Sequence, residues 1–154
     1  MSTLRKGRIT EAAVLNAFVR SNRVTLLPFG EGHSYDLAVD LEPGLLRVQC
    51  KTARPCPGGM IFNCRATDHG HGNASYEGLA DVFGIHFAPS NAVYLVPVEG
   101  CPHSGKAILR IEATRNNQSL GIRLAADYEF GRWTDDALRR LAATDAALPA
   151  RIAS

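Results

Sequence analysis

The 154-residue sequence lacks any run of about 18 consecutive apolar residues, the minimum that a membrane-spanning helix needs. The stretch from Met1 to Ile9 is basic and polar, and no apolar segment of the signal-peptide type follows it. Internal repeats and low-complexity tracts are absent as well. With 45% hydrophobic residues, this length suffices for one buried core, so we expect a cytoplasmic protein with a single domain over residues 1–154.

Closely spaced cysteines are also missing. No two of the four have the spacing of about two to four residues that lets neighbouring thiolates close on one zinc ion: Cys50, Cys56, Cys64 and Cys101. Without a secretion signal, we expect reduced thiols rather than disulfide bonds. A zinc site that adds His69, His71 or His103 is the alternative, although these histidines lie in loop-like sequence rich in glycine and aspartate.

The sequence has no strong excess of charge of either sign. The net charge is +2, and the isoelectric point is near 8.4. Such a mildly basic chain is compatible with a phosphate-backbone partner but does not require one.

Apolar periodicity predicts the secondary structure. A helix is expected over Arg8–Ser21, either capped by Thr10 or starting a turn earlier, with Asn22 as its C-terminal stop. A second helix is expected over Thr134–Ala143. Short apolar runs predict seven strands: Arg23–Pro28, Tyr35–Leu41, Leu45–Thr52, Met60–Arg65, Val82–Phe87, Val93–Val98 and Ala107–Ile111. This order predicts an α/β (α+β) fold in which one helix packs on a mixed β-sheet with helical additions.

The segment SYDLAVDLEPGLLRVQCKTAR, residues 34–54, predicts a β-hairpin that turns at Glu42-Pro43-Gly44. Gln49 and Lys51 lie two residues apart on its second strand and therefore project to one face. Because the strands of a hairpin are antiparallel, the start of the first strand lies beside the end of the second. We therefore expect Asp36 to lie close to Gln49 and Lys51.

Glu11 is a fourth polar residue in an unusual position. It precedes Leu15 by one helical turn and Phe18 by two, which predicts that its carboxylate shares the face turned toward the core. A carboxylate there must be paired, bound to a metal or shifted in pKa, unless it only stabilises the helix N-terminus electrostatically. Together with Asp36 and Gln49 it would suit a hard cation such as Mg²⁺. A buried Asp36–Lys51 ion pair that fixes strand register is the alternative.

The sequence contains, in this order, a helix with Glu11, a strand with Asp36 and a strand ending in Gln-Cys-Lys-Thr. In this arrangement it resembles the PD-(D/E)XK nuclease superfamily. It is most similar to the small endonucleases encoded in bacterial group I introns, and more distantly to archaeal Holliday-junction resolvases. The similarity extends over about Gly7–Phe130 and implies a restriction-endonuclease-like core. Gln49 departs from the Glu or Asp that most of the superfamily has, but the intron-encoded subgroup is similar in tolerating glutamine.

The resemblance implies a catalytic set of Glu11, Asp36, Gln49 and Lys51. In it, Asp36, the Gln49 side chain and the Cys50 backbone carbonyl hold Mg²⁺, with Glu11 as a direct or water-mediated ligand. Lys51 orients the attacking water or helps to deprotonate it, and the product is a cut phosphodiester.

A nuclease also needs contacts to DNA. Basic residues near the proposed site would contact phosphates: Arg8, Arg47, Arg54 and Arg65. Base edges would be contacted by the hairpin from Arg54 to Arg65 and by a polar run further along the chain that contains Arg115, Asn116, Asn117 and Gln118. Each of these is alternatively an ordinary solvated surface residue. Cutting both strands of double-stranded DNA favours a homodimer or homotetramer.

The resemblance and the residues together lead to three hypotheses about function. The first is a sequence-specific homing-type endonuclease, and the second is a nuclease that resolves Holliday junctions by their shape. The third is a DNA-binding module of the same fold that no longer cleaves because of Gln49. The presence of Glu11, Asp36 and Lys51 together favours an enzyme over the third function.

Overall fold

The computed structural model of the chain describes residues 1–66, 75–103, 105–113, 116 and 121–142. No helix in these ranges has the length and apolar content to cross a membrane. The described chain forms an eight-stranded mixed sheet with helices. Its elements are α1 (Thr3–Arg20), β1 (Thr25–Leu26), β2 (Leu37–Asp40), β3 (Leu45–Cys56), β4 (Gly59–Asn63), β5 (Val82–Phe87), β6 (Ala92–Pro97), β7 (Lys106–Arg110), β8 (Arg123–Leu124), α2 (Ala125–Tyr128), a 3-10 turn (Phe130–Arg132) and α3 (Asp135–Ala142).

Helix α1 begins earlier than its apolar periodicity predicts. Ser2 is the N-cap, since its side chain accepts a hydrogen bond of 3.3 Å from the Arg5 backbone N–H. The prediction that Thr10 caps the helix is therefore wrong, because Thr10 is a buried residue inside the helix. The predicted stop is confirmed. Asn22 adopts a positive φ of 61° and its N–H donates to the Val19 carbonyl at 3.0 Å, which ends the helix.

The predicted β2–β3 hairpin is confirmed, but β3 continues to Cys56 instead of ending at Thr52. Its extra residues pair with β4, with Arg54 opposite Ile61 and Cys56 opposite Gly59. The chain therefore turns at Pro57-Gly58, where Gly58 has a φ of 74° that favours glycine. As a result, β3 is the longest strand and takes part in two parts of the sheet.

Strand β3 is the centre of the sheet. It pairs antiparallel with β2 and β4 and parallel with β5, and β6 adds to the far side of β5. Beyond β4 follow β7 and β8. This mixed sheet, with α1 packed on it, confirms the predicted fold class.

Alternate residues of β3 face two separate cores. Leu46, Val48 and Cys50 face α1 and α3, and contribute to a core that also contains Val14 and Phe18. The opposite face belongs to a second core, in which strand β5 packs against strands β4 and β7: Phe83 and Ile85 with Met60, Phe62 and Leu109. Residues near the middle of β3 therefore lie between two rigidly packed layers.

Candidate active site

Asp36 lies immediately before β2, at the point where this strand begins to pair with β3. Its backbone N–H donates to the Val48 carbonyl at 2.9 Å. Its carboxylate oxygen Oδ2 accepts two hydrogen bonds, from Gln49 Nε2 at 2.8 Å and from the Cys50 backbone N–H at 2.7 Å. Burial raises the pKa of Asp36, while the Cys50 N–H and the charge of Lys51 oppose the rise. The structure thus brings Asp36 and Gln49 together, as the hairpin geometry predicts.

Lys51 makes its side-chain hydrogen bonds to residues other than Asp36. Its Nζ donates to the Arg65 carbonyl and to Tyr76 Oη, both at 3.1 Å, and it lies 4.5 Å from the centre of the Tyr76 ring. Within the described ranges, no ion pair of 4.0 Å or less joins Lys51 to Asp36, so the alternative of a register-fixing ion pair is not supported. Burial lowers the pKa of Lys51, and the negative charge of Asp36 opposes this effect.

Tyr76 is a site residue for which the sequence offers no positional signal. It lies within the region of family resemblance, 25 residues after Lys51 in the sequence. In the fold it is 7% exposed and its hydroxyl fixes the Lys51 ammonium. Its ring packs against Phe83 of β5, with ring centres 5.6 Å apart, and this tertiary contact helps to bring it to the site.

Glu11 does not face the core, so that prediction is wrong. The buried side of α1 is lined by Thr10, Val14 and Phe18, which are spaced four residues apart, whereas Glu11 is exposed. Its carboxylate is nevertheless near the site. The pKa of Glu11 is raised by partial desolvation and then by the charge of Asp36, and Arg8 opposes the rise.

The polar residue on the buried side of α1 is Thr10, which was expected only as a possible cap. Its hydroxyl oxygen lies 2.6 Å from that of Thr52 on β3. This hydrogen bond joins the helix to the strand that contains Gln49 and Lys51. It therefore fixes the position of Glu11 relative to that strand.

The donor atoms fit a hard cation. Oδ1 of Asp36 and Oε1 of Gln49 make no hydrogen bond to the described residues. The Cys50 carbonyl leaves the strand on the same side as its N–H, which points at Asp36. Carboxylate, amide and backbone oxygens are ligands that Mg²⁺ accepts, and a cation would relieve the repulsion that helps raise the pKa of Glu11.

A zinc cluster is not found in the described part of the chain. No group of three or more His, Cys, Asp or Glu side chains there is arranged to hold a metal. All four cysteines are free thiols. His103 hydrogen bonds to Ser75 Oγ at 2.8 Å and lies 3.3 Å from Glu77, while His69 and His71 lie outside the described residues.

Comparison with known protein families identifies this arrangement. A family model described as PD-(D/E)XK endonuclease matches residues 1–131, and so includes α1, the β2–β3 hairpin and the strands that follow. The chain belongs to the PD-(D/E)XK endonuclease family. The resemblance noted in the sequence is thereby confirmed. A comparison with curated proteins finds no match.

A solved structure supports the fold of this PD-(D/E)XK endonuclease. The bacterial homing endonuclease I-Ssp6803I superimposes with a TM-score of 0.66 at 22% identity, over 95% of this chain and 98% of that one. The predicted restriction-endonuclease-like architecture is therefore confirmed. At this identity the match establishes a shared fold, and the function of the neighbour does not transfer with it.

The predicted DNA contacts of the endonuclease divide into exposed residues, residues outside the described ranges, and Arg47. Arg8, Arg54, Arg65 and Asn116 are exposed. Three others lie outside the described residues: Arg115, Asn117 and Gln118.

Arg47 differs from these exposed residues. Its Nη2 lies 3.0 Å from Asp81 Oδ1, its backbone N–H donates to Asp81 Oδ2 at 2.7 Å, and Nη1 donates to the Gly78 carbonyl at 3.0 Å. The side chains are 17% and 2% exposed, respectively. Arg47 is therefore committed to a buried ion pair between β3 and the start of β5, and is not presented to a phosphate.

Proposed function

We propose that this PD-(D/E)XK endonuclease hydrolyses phosphodiester bonds of double-stranded DNA with Mg²⁺ as cofactor, through Glu11, Asp36, Gln49 and Lys51. The observation that supports this proposal is the convergence of Gln49 and the Cys50 N–H on one oxygen of Asp36. It leaves the second carboxylate oxygen and the amide oxygen without a hydrogen-bond partner among the described residues. Glu11 is exposed and close enough to Asp36 for the charge of Asp36 to help raise its pKa.

In this proposal, Asp36, the Gln49 side chain and the Cys50 carbonyl hold Mg²⁺, and Glu11 binds it directly or through water. When bound, Mg²⁺ acts as a Lewis acid toward the phosphate and lowers the pKa of water. Asp36 is held for this role by the two hydrogen bonds to Oδ2, which fix its carboxylate plane. Gln49 contributes an oxygen without a charge, so cation affinity should be lower than with a carboxylate at this position.

Lys51 acts on the water and the phosphate in this scheme. The Arg65 carbonyl and Tyr76 Oη each accept one of its three ammonium hydrogens, and this leaves a donor to orient the attacking water. The positive charge also offsets the negative charge that develops on the phosphate during attack. Tyr76 is a positioning residue, because it acts through Lys51.

DNA would approach along exposed basic residues near this site. Arg8, Arg54 and Arg65 are the phosphate contacts retained in the proposal, and the base contacts assigned to residues 115–118 stay a prediction. Arg47 is left out because its guanidinium is bound to Asp81. We also propose that two or four copies act together in the cytoplasm, since one site cuts one strand.

A homing-type, sequence-specific enzyme is the function we favour. It agrees with the fold shared with a protein described as a bacterial homing endonuclease. Junction resolution on the same fold is the second candidate. A set of four-way junctions and linear duplexes of equal sequence separates the two, because a resolvase cuts the junction at the branch point and leaves the duplex intact.

Removing charge from the proposed site tests the proposal. Asp36→Asn and Glu11→Gln should each abolish cleavage of a plasmid library with random inserts while retaining DNA binding, since they remove metal-binding charge with little change of volume. Glu99→Gln, an exposed carboxylate after β6, is the matched control and should cut normally. Wild-type cleavage rates in both site variants would exclude this site. Binding without cleavage by the wild type in Mg²⁺ would favour the non-cleaving module.

A further inference from the structure

The outer side of strands β3, β4 and β7 forms an exposed face that the cleavage site does not use. Its inner side packs on the second core through Met60, Phe62, Ala107 and Leu109. Because side chains alternate along a strand, the residues between these point outward. We call this set the outer strand face: Arg54, Ile61, Asn63, Lys106, Ile108 and Arg110.

The strand register arranges these side chains in regular rows. Arg54, Ile61 and Ile108 lie opposite one another across three strands, and Asn63 lies opposite Lys106 in the next row. Rows on one face of a sheet are about 7 Å apart, close to the rise of about two base-pair steps of 3.4 Å each. The major groove of DNA admits a pair of β-strands.

The chemistry of this face complements DNA. Within β4, β7 and residues 54–56 no acidic side chain is present. The side chains of Arg54 and Lys106 make no hydrogen bond or ion pair with the described residues, and both residues are exposed, so their positive charges are available to a ligand. Ile108 is 42% exposed beside Ile61. The exposed Ile108 and the half-buried Ile61 suit contacts with thymine methyl groups.

The end of this face is held rigidly. Arg110 Nη1 donates to the Pro57 carbonyl at 3.2 Å, and the backbone N–H groups of Ile111 and Glu112 donate to the Gly58 carbonyl at 2.9 and 3.1 Å. A Cβ at Gly59 would collide with the Leu109 carbonyl oxygen, so the two backbones are in close contact. A face that does not need to be ordered on binding loses less entropy when it docks.

The outer strand face also continues from the cleavage site along β3. Arg54 follows Thr52 by one row on the same face, and Thr52 contacts Thr10 of α1, the neighbour of Glu11, at 2.6 Å. Lys51 projects to the opposite face of the strand. The first turn of α1 has no acidic residue and contains Arg5 instead. Positive charge there opposes the helix dipole, and a bound phosphate would offset this unfavourable interaction.

We propose that the outer strand face enters the major groove beside the scissile phosphate and reads bases there, with DNA as its only macromolecular partner. Arg54 and Lys106 donate to base acceptors or flanking phosphates, and Ile61 and Ile108 contact thymine methyl groups. Asn63 presents only its amide NH₂, because its Oδ1 accepts from the Arg65 N–H at 2.9 Å. This inference rests on the proposed function, since it names how the same substrate is held.

A thiol footprint tests the placement of DNA. Cys56 ends β3 on the outer side and is partly exposed, as is Cys101 elsewhere in the molecule, whereas Cys50 and Cys64 are buried. With excess duplex of random sequence and EDTA present, alkylation of Cys56 by iodoacetamide should slow at least tenfold, while Cys101 serves as the internal control. Peptide mass spectrometry measures both rates in the same sample. Equal Cys56 rates with and without saturating DNA would overturn the proposal.

Substitutions test the chemistry. Lys106→Ala should reduce the slope of log affinity against log salt by about 0.9, the contribution of one phosphate contact, if Lys106 binds the backbone. If it binds a base, the sequences selected from a random duplex pool should change instead. Arg20→Ala removes an exposed charge at the opposite end of α1 and should alter neither. No change in slope or selected sequence for Lys106→Ala would contradict the inference.

Two further outcomes have distinct meanings. If Ile108→Ser leaves DNA binding intact but dissociates the protein into smaller species in sedimentation, the face is an interface between copies and the inference fails. If the wild type neither binds nor cuts DNA, the proposed function fails first. If cleavage depends on Asp36 but DNA does not slow the alkylation of Cys56, the proposed function is retained and only the assignment of the outer strand face is rejected.

Discussion

Replacing Gln49 with glutamate would put a second carboxylate beside Asp36. The Gln49 amide nitrogen now donates to Asp36 Oδ2 at 2.8 Å, and Gln49→Glu converts this hydrogen bond into a contact between two acceptors. The pKa values of Glu11 and Asp36 are already raised, mainly by burial. We therefore expect the substitution to destabilise the metal-free protein while strengthening its affinity for Mg²⁺.

The size of this effect follows from the geometry. Two unit charges about 4 Å apart repel by about 4 kcal/mol at an effective dielectric constant of about 20. The lost hydrogen bond to a charged group contributes about 1.5–3 kcal/mol. The total destabilisation is limited to about 4 kcal/mol, because a larger penalty would make the two carboxylates take up one shared proton at pH 7. Each unit of pKa shift that this protonation requires corresponds to about 1.4 kcal/mol. A net loss of about 2–4 kcal/mol lowers Tm by about 4–16 °C in a domain of this size.

Thermal unfolding in EDTA and across a Mg²⁺ titration measures this prediction. The deficit of Gln49→Glu in EDTA should close as Mg²⁺ is added, since the cation binds the folded state and offsets the added charge. Its half-maximal Mg²⁺ concentration for cleavage should fall below that of the wild type. Gln49→Leu is the control: it adds no charge but removes the oxygen, so it should cleave poorly at any Mg²⁺ concentration. A Gln49→Glu protein as stable in EDTA as the wild type would refute the reasoning.

Two other substitutions and one titration test further parts of the structure. Arg47→Met should lower the free energy of unfolding by about 3–5 kcal/mol in urea, because it leaves Asp81 buried without its partner; full stability with weaker DNA binding would instead make Arg47 a DNA contact. Gly84→Ala should lower it by about 1–3 kcal/mol, since the added Cβ would lie 2.7 Å from Val14 Cγ1; an unchanged urea midpoint would mean that α1 is not packed on β5. DNA affinity should fall steeply as salt rises, and a flat dependence would point to another class of partner.

Local patterns of the sequence predicted most of the fold. A short apolar run located β5 from Val82 to Phe87 without error, and Glu42-Pro43-Gly44 located the hairpin. These signals are local, since a buried strand shows its apolar run and a turn shows its proline and glycine within a few residues. The same reasoning placed Asp36 beside Gln49, because the register of a short hairpin is set by its turn.

The sequence was less reliable where neighbours distant in the chain decide the outcome. Apolar spacing assigned Glu11 to the core, but Thr10 occupies that side and bonds to Thr52 on β3. Arg47 and Lys51 are basic residues on one strand, yet Asp81 binds the first and Tyr76 positions the second. A side chain's partner depends on which segments meet in space. The pairing of β3 with the distant β5 is what brings Asp81 to Arg47. Hence the sequence alone determined the elements and the hairpin that holds Asp36 and Gln49, whereas the tertiary structure decided which charges are paired and which remain available to DNA.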